Sequence, residues 1–280
     1  MIIHSDWHIH CEASYDASLP LETIAQGAES FGFQQIGITD HVNFNDENFA
    51  NDLKKSAALV TEFQKTNPNM ILGVELTPIE LDKFRYIART GTRDGYVPTE
   101  GESFDGIELG QSKEQLMAQG VRYAIGAAHW CIKVHGSPYP YPLTDLDAYI
   151  REWHRQQMWL ACDERVTILG HPWYHGKAIW YEDFSVIPQS MHRELAAALK
   201  EKGKYAECNS HFFCTAKTTE KFRHQYAEYL RQLHEAGIPI TYGSDAHNVY
   251  GPNHLQAEPY LIAVGFRDGD IVGIAEKDLW

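Results

Sequence analysis

Seven short apolar runs, each finishing on a histidine, a carboxylate or an amide, constrain this chain more than any other feature. The first spans roughly residues 2–9 and runs into His8-Ile-His10. Gln35-Ile-Gly-Ile-Thr39 stops at Asp40-His41, and Asn69-Met-Ile-Leu-Gly-Val-Glu75 ends on its acid. Arg122-Tyr-Ala-Ile-Gly-Ala-Ala-His129 and Arg165-Val-Thr-Ile-Leu-Gly-His171 follow the same plan, as do Tyr205-Ala-Glu-Cys-Asn209 and Ile238-Pro-Ile-Thr-Tyr-Gly-Ser-Asp245. Helix-period patterns lie between them: Leu21 to Phe31 (ended by Gly32), 47–66, 112–119, 144–161, 188–202 and 219–236. Strands alternating with helices give a parallel sheet, because a parallel neighbour is reached only through a crossover. The stretch at about 77–112 breaks the alternation with Gly91, Gly95, Pro98, Gly101 and Gly106, and reads as an insertion or substrate-facing excursion. A single α/β domain over residues 1–280 is therefore expected, a barrel of this kind taking ~250 residues.

In a strand, residues two apart share a face, so His8 and His10 project together, as do Asp245 and His247. Parallel barrels carry their active sites at the carboxyl ends of the strands. The strand-end set here is His8, His10, His41, Glu75, His129, His171, Asp245 and His247, with Asp16 added from the first loop. Imidazole and carboxylate together suit zinc, manganese or iron, and three or four such groups saturate one ion. Nine candidates exceed one ion, so two or three divalent ions with shared carboxylates are expected.

The order of these pieces resembles that of the PHP (polymerase and histidinol phosphatase) family. The matching segments are Asp6-Trp-His-Ile-His10, Thr39-Asp-His41, Gly73-Val-Glu75, Ala127-Ala-His129, Gly170-His-Pro172 and Gly243-Ser-Asp-Ala-His247. The resemblance implies a distorted (β/α)7 TIM-like barrel with a trinuclear centre, in a stand-alone histidinol-phosphatase-like member. Carried over, His8, His10, Glu75 and Asp245 hold a first ion; Glu75 bridges to a second held by His129 and His171; Asp16, His41 and His247 hold the third. Asp16 stands where the family often has histidine. A second Gly-x-Glu at Gly106-Ile-Glu108 competes with Glu75 for the bridging role, and Glu75 is favoured because it ends the better strand.

The expected activity is metal-dependent hydrolysis of a small phosphorylated metabolite, a metal-bridging hydroxide attacking phosphorus while Asp245 or His247 assists proton transfer. Asp6 is expected to orient a ligand imidazole. Asn209, His175, His211 and Lys177 are the candidate substrate contacts, with Trp130, Trp173 and Tyr174 as pocket walls. Arg85, Arg89 and Arg93 are further candidates for the phosphate. His154, His192, His224 and His234 fall in helix patterns and read as surface residues. Two other readings stay open: an amidohydrolase-like hydrolase of a non-phosphate ester or amide, and a non-catalytic accessory module. The net charge of −14 argues against a nucleic-acid footprint. No apolar run approaches the ~20 residues of a membrane span. Without a signal-peptide pattern or a C-x-x-C pair among the five cysteines, a cytoplasmic protein with reduced thiols is expected.

Overall fold

A computed structural model describes residues 1–97, 106–130, 145–177 and 179–280. In chain order the elements begin β1 (Ser5–Ile9), α1 (Leu21–Phe31), β2 (Gln35–Ile38), β3 (His41–Val42), α2 (Glu47–Phe63), β4 (Met70–Leu72) and β5 (Val74–Leu76). The excursion follows as β6 (Ile79–Glu80), α3 (Leu81–Thr90) and β7 (Ile107–Glu108). Then come α4 (Lys113–Ala118), β8 (Ala124–Gly126), α5 (Leu146–Cys162), β9 (Ile168–Leu169) and α6 (Gln189–Lys202). The chain ends with β10 (Tyr205–Asn209), α7 (His211–Cys214), α8 (Glu220–Glu235), β11 (Ile240–Gly243) and α9 (His254–Ala263).

The helices start and stop where local chemistry directs. Asp46 and Thr219 accept backbone N–H groups at the starts of α2 and α8, and Ser112 with Gln115 forms a reciprocal capping box on α4. Gly32 closes α1 with a left-handed φ of 76°. Leu21, Ile24 and Ala28 on α1, and Phe49, Leu53, Ala57 and Val60 on α2, form the buried stripes that the helical period requires.

Every pairing between strands β1–β5 and β8–β11 is parallel. One expected strand is broken, Gly73 separating β4 from β5, and the strand expected at 35–39 resumes after Thr39-Asp40 as the short β3. One sheet runs β1-β2-β4 and the other β11-β10-β9-β8-β5-β3. Since β2 continues into β3 and β4 into β5, the two sheets are halves of one seven-stranded ring. Its seam is a bridge between Ile9 and Ala246, with His10 N–H donating to Ala246 O at 2.9 Å and Asp245 N–H to His8 O at 2.8 Å. A seam made by two bonds and two interrupted strands is the distortion in this TIM-like barrel. The excursion at 77–112, which breaks the alternation, contains an antiparallel β6–β7 pair and helix α3 within its described part. The apolar tail segment around Tyr260 belongs to α9.

Strand residues alternate between two buried layers. Ala206 and Cys208 of β10 pack outward in the large core with the helices, whereas Tyr205 joins Trp7, Tyr123, Ile125 and Ile168 in a second cluster without helix members. Tyr123 plugs the ring, its hydroxyl donating to Trp7 O at 2.7 Å. A Cβ on Gly37 would lie 1.8 Å from that hydroxyl, and one on Gly73 2.5 Å from the ring, so both strands need glycine there.

Two histidines read as exposed or substrate-facing are core residues. His192 is buried against Trp173, Phe184 and Tyr229, which corrects its surface assignment. His175 is 4% exposed and caged by Tyr149, Trp153 and Trp180, with ring centroids at 4.6–5.1 Å. Burial, then the Lys177 charge, pushes the His175 imidazole down to about 4. A histidine depressed on folding leaves the unfolded chain to take up the proton first, so stability falls as pH drops from ~6.5 toward 4. The shift contributes a loss of about 2 kcal/mol between pH 7 and pH 5. His175→Asn keeps an acceptor for the Lys177 N–H and should remove that share of the acid loss. Urea midpoints of both proteins at the two pH values measure it, and an unchanged difference would refute the assignment.

Candidate metal centre

The inward positions of the strands converge at their carboxyl ends on one carboxylate. Glu75, fully buried on β5, faces five imidazoles. Its Oε2 lies 3.2 Å from His8 Nε2, 3.3 Å from His10 Nε2 and 3.0 Å from His41 Nδ1. Its Oε1 lies 3.2 Å from His129 Nε2 and 3.0 Å from His171 Nε2. Asp245 Oδ1 approaches His8 and His10 at 3.5 and 3.4 Å. On the outer side Asp16 Oδ2 stands 3.1 Å from His41 Nε2 and 3.5 Å from His247 Nε2, while Ser14 Oγ donates to Asp16 Oδ1 at 2.7 Å. All nine expected ligands therefore meet in one place. Glu108 does not: it sits on β7, 2.6 Å from Arg165, which also pairs with Asp163.

Among the described residues three groups bring ligand atoms within 4.8 Å of one another: His8, His10 and Glu75; Glu75, His129 and His171; and His10, Asp16, His41 and His247. Glu75 joins the first two, and His10 joins the first and third. The donor set passes a direct test of fit to cations. Glu75 Oε2 and His41 Nδ1 are buried and 3.0 Å apart, yet neither makes a hydrogen bond. His8 Nε2 and His10 Nε2 face each other at 3.1 Å. Ligand atoms ~2.0–2.1 Å from a shared tetrahedral ion lie just over 3 Å from one another, so these separations are compatible with coordination.

The charges agree. Burial alone would raise Glu75, but the His41, His8 and His129 imidazoles hold its carboxyl well below the usual range. Burial opposes protonation of His41 too, yet Glu75 and the Asp16 hydrogen bond raise it to about 10. A concentration of negative charge and lone pairs that pulls protons onto imidazoles is what a divalent cation neutralises.

Backbone geometry is specialised at the same place. His171 and Asp245 have positive φ (24° and 54°), a region that costs non-glycine residues energy and marks sites where side-chain aim is enforced. Asp6 does not orient an imidazole as expected. It accepts N–H groups from His8 (3.2 Å) and Ser244 (3.0 Å) and the Tyr250 hydroxyl (3.2 Å), tying β1 to the end of β11. Burial raises its carboxyl to about 7.

The imidazole-holding carboxylate is one that sequence reasoning missed. Glu207, on β10, accepts from His8 Nδ1 at 2.7 Å and from the His171 backbone N–H. The signal was present: Tyr205, Glu207 and Asn209 alternate with Ala206 and Cys208, so Glu207 had to face inward.

A cavity of about 250 Å³ opens above the ligands, lined by Tyr15, Asp16, His41, Asn43, His129, Trp130, His171, Tyr174, Asp245 and His247. Trp130 and Tyr174 wall it as expected. Trp173 is instead fully buried, stacked on His154. The expected substrate contacts divide. His211 Nε2 is buried without a hydrogen-bond partner, and its ring meets Tyr174 at 5.6 Å. Asn209 is engaged on both sides, its amide donating to Glu207 and Asp245 while its carbonyl accepts from His211 N–H. His175 lies outside the cavity lining, in the aromatic cage described above. Lys177 is exposed and also outside the lining. Among the described residues no lysine or arginine lines the cavity. Arg93 lies over Phe44 at 4.6 Å and Arg89 over Tyr86 at 5.9 Å. No helix among the described residues is long and apolar enough to cross a membrane.

A seven-stranded parallel α/β ring with clustered histidines and carboxylates at its carboxyl ends defines a class of barrel whose strand ends can hold a divalent metal. The PHP domain family model matches residues 6–211, and the chain belongs to that family. None of the curated proteins compared matches it. Among solved structures it is similar to the histidinol phosphate phosphatase of Lactococcus lactis subsp. lactis Il1403, complexed with zinc, L-histidinol and phosphate. That match has 18% identity, coverage of 97% of this chain and 99% of the other, and a TM-score of 0.63. A weaker likeness, with 16% identity and a TM-score of 0.45, is to the metal-dependent tyrosine phosphatases YwqE of Bacillus subtilis and CpsB of Streptococcus pneumoniae. It covers 92% of this chain and 86% of the other.

Proposed function

We propose that this chain is a metal-dependent phosphoesterase that hydrolyses a small phosphorylated metabolite. The observation that carries the reading is Glu75, whose two buried oxygens are shared between separate groups of imidazoles. The similarity to a phosphatase that binds zinc and phosphate supports it. His8, His10, Glu75 and Asp245 would hold a first ion; Glu75, His129 and His171 a second; Asp16, His41 and His247 a third, with His10 beside it. Imidazole and carboxylate ligands suit zinc, manganese or iron. Bound divalent ions supply an activated water and neutralise phosphoryl oxygens.

The remaining roles fall to the chain itself. Trp130, Tyr174 and the exposed Tyr15 enclose the leaving group. His211, whose buried Nε2 has no hydrogen-bond partner and whose ring meets Tyr174 at 5.6 Å, is the chain's candidate for a contact to the leaving group. Asp245 and His247 serve as ligands first and assist proton movement. Cys11, Cys162, Cys208 and Cys214 are free thiols, consistent with the cytoplasmic location that completes this proposal.

Metal analysis combined with a phosphate-release screen over small phosphoesters tests the reading. The metallated protein should release phosphate, and His171→Ala should lose that activity. A fully metallated protein that turns over no phosphoester, but hydrolyses a carbon ester or amide, would transfer the site to the amidohydrolase-like alternative.

A further inference from the structure

Glu207 is the buried carboxylate that the ligand assignment leaves out. It is 1% exposed and sits one residue position below the ring of ligands, on the inward face of β10. Its Oε1 accepts from His8 Nδ1 at 2.7 Å and from Asn209 Nδ2 at 3.3 Å; its Oε2 accepts the backbone N–H of His171. His8 belongs to one group of ligand atoms and His171 to another. The barrel keeps a space for this side chain: a Cβ on Gly243 would stand 1.9 Å from Glu207 Oε1 and 2.7 Å from His8 Cβ.

We propose that Glu207 is a positioning residue that couples the two inner ion sites. By taking the Nδ1 proton of His8 it fixes the tautomer whose Nε2 lone pair faces Glu75 and His10. By taking the His171 N–H it holds that residue in its left-handed backbone, so that Nε2 reaches Glu75 Oε1 at 3.0 Å. One carboxylate thus aims a ligand in each group, and Asn209 holds the carboxylate. A histidine ligand oriented through its second nitrogen gains basicity and a fixed ring plane, and loss of such a partner typically costs ~10–100-fold in metal affinity.

The inference rests on the metal reading above, and the test separates the two. Wild type, Glu207→Gln and Glu207→Asp are titrated with zinc against a competing chelator, and their cobalt-substituted forms are compared by visible absorption. Thermal unfolding of the metal-free proteins establishes that each variant is folded. Glu207→Asp keeps the charge but withdraws it from His8, so it serves if the amide variant does not fold. The expected result is ~10–100-fold weaker zinc binding in a folded variant, with altered cobalt absorption. Wild-type affinity and an unchanged cobalt spectrum in a folded variant would overturn the role of Glu207 alone. Failure of the wild type to bind any divalent ion would overturn the metal reading, and this inference with it. Metal binding without phosphate release would leave this inference standing and remove only the proposed reaction.

Discussion

Glu75→Gln is expected to lower phosphate release by about 10³-fold or more. The several kcal/mol that Lewis-acid neutralisation contributes convert to that factor at 1.36 kcal/mol per tenfold in rate. The substitution is nearly isosteric, so its effect is electrostatic. Both oxygens of Glu75 face imidazole nitrogens at 3.0–3.3 Å, five of them from four strand ends. An amide places an N–H₂ where one of those oxygens stood, and an N–H₂ repels the cation that the surrounding nitrogens would share. Metal content should fall with activity. Glu108→Gln is the matched control, because Glu108 pairs with Arg165 on the barrel's side and its loss leaves the ligand ring intact. Steady-state phosphate release and elemental analysis of both variants decide the matter. Retained metal and activity in the Glu75 variant, with loss in the Glu108 variant, would reverse the assignment.

Removal of metal is expected to lower thermal stability by about 10 °C. Ions present at ~1,000 times their dissociation constant stabilise a folded chain by about 4 kcal/mol, and a domain of this size loses ~2–4 °C per kcal/mol. The physical source is the crowding of Asp16, Glu75 and Asp245 with six imidazoles in a space largely closed to water. Protonated imidazoles compensate part of that charge, as the raised His8 and His41 show. Protons satisfy those pairs less completely than ions do, since Glu75 Oε2 and His10 Nδ1 keep no hydrogen-bond partner. Thermal scans of the protein with chelator, and again after excess zinc or manganese, provide the measurement. A transition indifferent to chelator and added metal would count against bound ions as part of the fold.

The convergence of these histidines and carboxylates was legible in the sequence because a strand's two-residue period and the carboxyl-end rule both act locally. His8 with His10, and Asp245 with His247, need no knowledge of tertiary structure to be paired on a face. The break at Gly73 was not legible, since its apolar run continues across it, and β3 was not legible because it follows the polar Asp40. Gly73 could be explained only once Tyr123 was seen to fill the space beside it. His175 and His192 were misread for a related reason. Helix and loop position predicts exposure on average, but burial of those rings is decided by aromatic side chains that arrive from distant segments. Lys177 lies outside the cavity lining because proximity in sequence to His171 does not determine which side of the loop faces the cavity. Glu207 was missed through attention to strand ends, although the alternation in β10 already pointed it inward.

The seam of the barrel has a consequence for the order in which the molecule is made. His8 and His10 are synthesised about 235 residues ahead of Asp245 and His247, and of the Asp245 N–H that bonds to His8 O. Contacts this distant in sequence form late and slowly, and chains are synthesised at ~5–20 residues per second. For many seconds the nascent chain therefore presents His8 and His10 without the partners that complete their cluster. Closure of the seam makes the strand ring and completes the first ligand group in one event. Newly made protein should accordingly acquire its metal only after the β11 segment has been made, and truncations that stop before β11 should bind ions loosely and without preference.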